Sequence, residues 1–130
     1  MASVIDRARK TLAARGVPFD ADPNRITVRA SDATGFDVSL RVVEPRKFVV
    51  SYEGWFETFA RAEDAYDCFE YGLSDSSRLR ITFRGATAVA WQIEKRDYGV
   101  WIGGRVVRRR LVPFWRPARI ERRQNRVFTT

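Results

Sequence analysis

The hydrophobic pattern of this chain changes period twice, and that change fixes the class of fold open to it. Ile26, Val28 and Ala30 alternate with Thr27 and Arg29. Phe36, Val38, Leu40 and Val42 alternate with Asp37, Ser39 and Arg41, and Phe48, Val50 and Tyr52 with Val49, Ser51 and Glu53. Strand side chains point to opposite faces with period two, so each run has one core face and one wet face. The breaks at Ala33-Thr34-Gly35 and Glu44-Pro45 are hairpin length, which predicts a three-stranded antiparallel meander. The step then becomes three and four. Phe59, Ala62, Tyr66, Phe69 and Leu73 form one stripe of a helix that starts at Phe59 or Ala62 and ends near Tyr71, with Gly72 suited to a left-handed cap. Period two returns in Leu79, Ile81 and Phe83 and in Val89, Trp91 and Ile93, followed by a turn at Asp97-Tyr98-Gly99 and a short strand Val100-Trp101-Ile102.

Before the first strand, Ser3 caps a short amphipathic helix, with Asp6 three residues on and Val4, Ile5, Ala8 and Leu12 on one side. Gly16 and Pro18 stop it. The expected order is helix, three strands, helix, two or three strands, then a basic segment. This is an α+β class fold, with a single antiparallel sheet of five to six strands in two meanders and two helices on one face. The whole span 1–130 reads as a single domain, long enough to bury a core, and 45% of its residues are apolar. One cysteine, Cys68, excludes an intrachain disulfide. No signal peptide and no spanning segment is evident, so the expected location is cytoplasmic and no membrane partner is expected.

Charge is distributed unevenly. Arg105, Arg108, Arg109, Arg110, Arg116, Arg119, Arg122, Arg123 and Arg126 stand against Glu121 alone, and account for the entire net charge of +8. Residues 1–104 are neutral. Of the 24 cations 21 are Arg, a bias that a GC-rich bacterial genome produces unaided, so arginine number by itself is discounted. Val106, Val107, Leu111, Val112, Phe114 and Trp115 are too apolar for a loose appendage. The Arg-rich C-terminal segment, 105–130, beginning after Gly103-Gly104, is therefore expected to pack on the body. Pro113 and Pro117 forbid a continuous helix. From Pro117 onward a helix would put Arg119, Arg122, Arg123 and Arg126 on one face; a strand fits the pattern nearly as well.

Most catalytic constellations fail by inventory. The chain has no histidine, which removes Ser-His and Cys-His activation and the commonest zinc ligands. No phosphate loop with Walker spacing is present. Glu63, Asp67 and Glu70 share a helix face with Asp64 nearby, a set of oxygens that suits a divalent metal but is read here as a solvated helix face. Cys68 has Asp64, Asp67 and Glu70 as local neighbours, which oppose a thiolate. Ser74-Asp75-Ser76-Ser77 reads as turn chemistry. No cofactor, metal or catalytic residue is therefore expected, and the chain is read as a non-catalytic domain acting on a protein partner.

The alternative is nucleic-acid binding through Arg108, Arg109, Arg110, Arg119, Arg122, Arg123 and Arg126. Guanidinium groups there interleave with Trp101, Phe114, Trp115 and Phe128, a combination that serves phosphates and unpaired bases. Against it, the Phe-Trp pair between prolines also suits a core plug. The outward sheet positions hold Arg, Ser, Thr, Glu and Ala but no ring, which argues against base stacking on the sheet. An enzyme built on carboxylates or a small-ligand pocket is a third class. The order helix-strand-strand-strand-helix matches the topology of double-stranded-RNA-binding domains. Those domains carry lysines at the start of the second helix, where this chain has Glu57, Glu63 and Asp64, so that likeness is set aside. With Trp55-Phe56-Glu57-Thr58-Phe59, Cys68-Phe69-Glu70-Tyr71-Gly72-Leu73-Ser74-Asp75, Arg78-Leu79, Trp91 and Pro113-Phe114-Trp115-Arg116, the chain resembles a family of small bacterial proteins with no assigned function. The resemblance covers most of the chain and implies no activity, ligand or site.

Overall fold

Eleven elements follow one another in the computed structural model, which describes residues 3–128. Helix α1 (Val4–Ala14) begins where Ser3 Oγ accepts a hydrogen bond from Asp6 N at 3.1 Å. It ends in a Schellman turn, with Gly16 N bonded to Ala13 O, Val17 N to Leu12 O, and Gly16 at φ +67°. Its buried residues, Ile5, Ala8 and Leu12, are spaced three and four apart and form the stripe that sinks into the core.

Five strands come next: β1 (Asp20–Asp22), β2 (Arg25–Val28), β3 (Val38–Glu44), β4 (Lys47–Tyr52) and β5 (Trp55–Phe59). They form one antiparallel sheet in chain order. The expected parity holds where it matters: Ile26, Val28, Val38, Leu40, Val50 and Tyr52 are all buried. Helix α2 (Ala62–Leu73) then lies across β3 and β4, with Ala65, Tyr66, Phe69 and Leu73 buried against them. Gly72 is not a left-handed cap. It lies inside the helix, where an added Cβ would sit 2.2 Å from the Tyr52 ring. The residue is small because a ring occupies the space, and the helix stops instead at Ser74.

After α2 come β6 (Ser77–Arg84), β7 (Thr87–Asp97), β8 (Val100–Arg108) and β9 (Ala118–Arg123). These make a second sheet of order β8-β7-β6-β9, so the expected single sheet is corrected to two, of five and four strands. The reason lies in β6. Both of its edges are taken, one by β7 and the other by β9, so the second meander cannot extend the first sheet. The two sheets meet through side chains instead. The β4–β5 turn presses Gly54 onto the Trp91 indole, where a Cβ would lie 2.3 Å from the ring. Trp55 Nε1 also donates to Arg105 O at 3.0 Å.

Two further expectations change. The strand after the Asp97–Gly99 turn runs through Gly103 and Gly104 to Arg108, so the basic segment begins inside the sheet. Residues 118–123 are strand, which settles the choice between helix and strand there. Beyond β9 the chain is pinned by Asn125. Its Oδ1 accepts from Phe36 N at 3.1 Å, and its Nδ2 donates to Phe36 O at 2.9 Å and Gly72 O at 3.0 Å. One buried amide thus joins the β2–β3 connection, α2 and the C-terminal segment. Among the described residues no helix is long and apolar enough to cross a membrane.

Candidate functional site

Strand geometry separates the arginines that a helix would have grouped. Register pairs Leu79 with Arg123, Arg80 with Arg122, Ile81 with Glu121 and Phe83 with Arg119. Arg119, Glu121 and Arg123 therefore lie on the side of the sheet that carries Leu79 and Ile81, and Arg122 lies on the other. Glu121 takes both neighbours on its own face: Arg119 Nη1 at 3.0 Å and Arg123 Nε at 2.8 Å. The two guanidiniums, Arg123 first, hold its carboxyl below the ordinary carboxylate range. Arg119 also covers the Phe83 ring at 4.4 Å.

Arg108 ends β8, opposite Ala90. Arg109 N bonds to Val89 O, and the side chains of Arg109, Arg110 and Arg126 are exposed. No carboxylate contact is made by Arg108, Arg109, Arg110 or Arg126 among the described residues.

The opposite, outward face of the second sheet is where positive charge collects. Register places Arg78, Arg80 and Arg84 of β6, Arg96 of β7, Arg108 of β8 and Arg122 of β9 on it. Among the described strand residues the only carboxylate on that face is Glu94. It is nearly buried, with Oε1 2.8 Å from Arg78 Nε and 3.3 Å from Arg122 Nε. Arg80 Nη1 reaches Gln92 Oε1 at 3.4 Å, while its buried Nε has no partner among the described residues. Sequence reasoning left this face without a ring. The structure puts Trp101 on it, with Arg78 over the indole at 4.2 Å and Arg96 at 5.7 Å. The signal that could have found it is the pairing of Arg96 with Trp101 across the β7–β8 turn.

The connection from β8 to β9 crosses the β6–β7 turn and is tied there. Gly85 N donates to Pro117 O at 3.1 Å, and Arg84 Nη1 to Arg116 O at 3.3 Å. Arg116 N closes a turn onto Pro113 O at 3.0 Å, which puts Phe114 and Trp115 at its two corners. They are not packed on the body as expected: Leu111 is 86%, Phe114 76% and Trp115 70% exposed. Two prolines and a tight turn leave the segment no regular side to bury. The two rings meet edge to face, with centroids 5.4 Å apart.

The carboxylates of α2 do not converge. Glu63 pairs with Arg7 at 3.0 Å, and Glu70 accepts from Tyr66 Oη at 2.7 Å. Asp67 lines a cleft of about 550 Å³ between β5, α2 and the second sheet, together with Glu57, Cys68, Tyr71 and Arg105. Among the described residues no three metal-ligating groups come together. Burial pushes the Cys68 thiol up to about 11, with the Glu57 charge adding to the effect, so the thiol stays protonated at neutral pH. Its Sγ lies 3.2 Å from Tyr52 Oη. Ser74 and Ser77 both donate to Tyr71 O at 2.8 Å, which is turn closure.

A larger cleft of about 1110 Å³ separates the β1–β2 side of the first sheet from the segment after β9. Arg29, Asp32, Arg122 and Arg126 reach its wall, but Arg29 is held by Asp20 at 2.7 Å, and Asp32 accepts from Thr34. The chain matches no family model, no curated protein and no solved structure.

Proposed function

We propose that this protein binds nucleic acid through the outward face of its second sheet and the connection after β8. One observation carries the reading: six arginines share that face, where the strands contribute one carboxylate, Glu94, and the β6 approach a second, Asp75, 3.6 Å from Arg96, and the face runs into the exposed Arg-aromatic turn. A genomic arginine bias raises arginine everywhere, but it does not choose a face: Arg78, Arg80, Arg84 and Arg96 come from the charge-neutral residues 1–104 and are brought beside Arg108 and Arg122 by strand register. Phosphates would meet Arg84, Arg108, Arg109, Arg110 and Arg116, with Arg122 and Arg126 at the far end. Arg119 and Arg123 contribute less, because Glu121 holds both.

The test is salt dependence. Binding of an oligonucleotide should weaken steeply as salt rises, and replacing Arg108, Arg109 and Arg110 with Gln should lower the log–log slope by about 2–3. Elution from heparin near physiological salt, unchanged by these substitutions, would reject the reading.

A second reading, a protein partner, is supported by β8. It is an edge strand, and Val100, Ile102 and Val106 stand exposed along it. A second copy pairing there would make the mass concentration-dependent, and Ile102→Lys would abolish that dependence. A constant monomer mass would count against self-pairing.

A further inference from the structure

We infer that the nucleic acid taken by this face is single-stranded, with unpaired bases stacked on Phe114 and Trp115 and the backbone lying along the arginines of β6 and β8. The inference rests on the nucleic-acid reading above and names the form of the ligand. Its ground is the turn closed by Arg116 N on Pro113 O, which holds two large rings at the corner positions, 76% and 70% exposed. Rings so placed add nothing to the core. Their edge-to-face contact leaves ring surface open, and every unpaired base offers a π-face to such a surface.

A duplex has its bases already stacked and presents phosphates and groove edges. Proteins that read its major groove usually insert a helix. Here both helices pack elsewhere: α2 against the first sheet and the start of the second, and α1 against α2 and β2. The arginines also form a track rather than a point. Arg84 and Arg78 lie six residues apart on β6, about 20 Å at strand rise. Arg84 bonds to Arg116 beside the rings, and Arg78 covers Trp101 at the other end.

An anionic membrane surface would also attract arginine and tryptophan. Cations do flank the apolar tip, at Arg109, Arg110 and Arg116, but they also continue along a sheet face away from it, beyond what a flat lipid surface engages.

The experiment uses the full chain and a labelled oligothymidylate of about 12 nucleotides, beside a duplex of equal length and vesicles containing anionic lipid. The expected result is single-strand binding at least tenfold tighter than duplex binding, with a change in tryptophan emission that Trp115→Ala diminishes, any remainder coming from Trp101 at the other end of the track. Phe114→Ala and Trp115→Ala should each weaken single-strand binding by roughly tenfold and leave weak duplex binding unaltered. Thermal melts of both variants should match the parent, since neither ring is buried. Duplex binding as tight as single-strand binding would overturn the single-strand inference and leave nucleic-acid binding standing. Failure to bind either oligonucleotide, with or without vesicle binding, would overturn both.

Discussion

The two sheets are built from the same alternating pattern but spend it differently. In the first, every strand from β2 to β5 buries side chains, and both helices supply the opposing layer. Tyr52 stacks on Trp55 at 4.7 Å and closes that core. In the second, the inward face adds Leu79 and Ile81 to the same core, with Phe83, Trp91, Ile93 and Val107 partly buried at its margin. Its outward face carries the arginines. The lesson is a separation of duties within one domain: apolar burial concentrates around the first sheet, and the free face of the second can tolerate like charges because stability is supplied elsewhere.

The sharpest way to break that contrast is in the first sheet's core. Phe69→Ala should cost about 3–5 kcal/mol by leaving a cavity under α2, read from urea unfolding. A loss below about 1 kcal/mol would mean that α2 does not anchor the core. Asn125→Ala tests the junction between the regions. It strands Phe36 N, Phe36 O and Gly72 O without their partner, and should cost on the order of 3 kcal/mol. Glu94→Gln separates stability from binding. It should lower stability by about 1 kcal/mol and yet tighten oligonucleotide binding, because the carboxylate that holds Arg78 and Arg122 is gone. A variant that loses both properties would show that Glu94 orders the arginines rather than merely offsetting them.

A smaller effect concerns acid. The Glu121 carboxyl is held below its ordinary value, so its stabilising contribution is present above the unfolded value of about 4.3 and disappears as pH falls through the folded one. The stability difference between parent and Glu121→Gln should therefore be visible at neutral pH and shrink as acid protonates the folded carboxyl, a modest change for so open a pair. Smallest of all is the double replacement of Phe114 and Trp115 by Ala, which should shift stability by less than about 0.5 kcal/mol. A large loss there would erase the division between the regions.

Periodicity in the sequence revealed which face of each long strand is buried, because burial and period are one physical constraint. It revealed α2 for the same reason, through Tyr66, Phe69 and Leu73. Strand β1, Asp20-Ala21-Asp22, escaped because three mostly polar residues carry no period. Strand β5 escaped because Trp55, Glu57 and Phe59 run directly into the helix stripe. The division into two sheets was invisible, since alternation reports faces and is silent on which strands share hydrogen bonds. At the candidate site, the charge imbalance after residue 104 could be read directly. Alternation also placed Arg78, Arg80 and Arg84 outward, but their union with Arg96 and the tail arginines on one face could not be read, because it depends on β8 and β9 flanking β6 and β7. The exposure of Phe114 and Trp115 ran against composition: an apolar cluster suggested packing, and a proline-framed turn prevented it.

The Asn125 amide has a consequence for how the chain reaches this state. It clasps a segment 89 residues upstream, so the polar groups it satisfies stay open to water until residue 125 has been made. Emerging from the ribosome, the first sheet and α2 can collapse but cannot seal, and β6 waits with one edge bare until β9 arrives. The interval between collapse and sealing is when unpaired strand edges are most open to mispairing, and it closes only once β9 and Asn125 are in place.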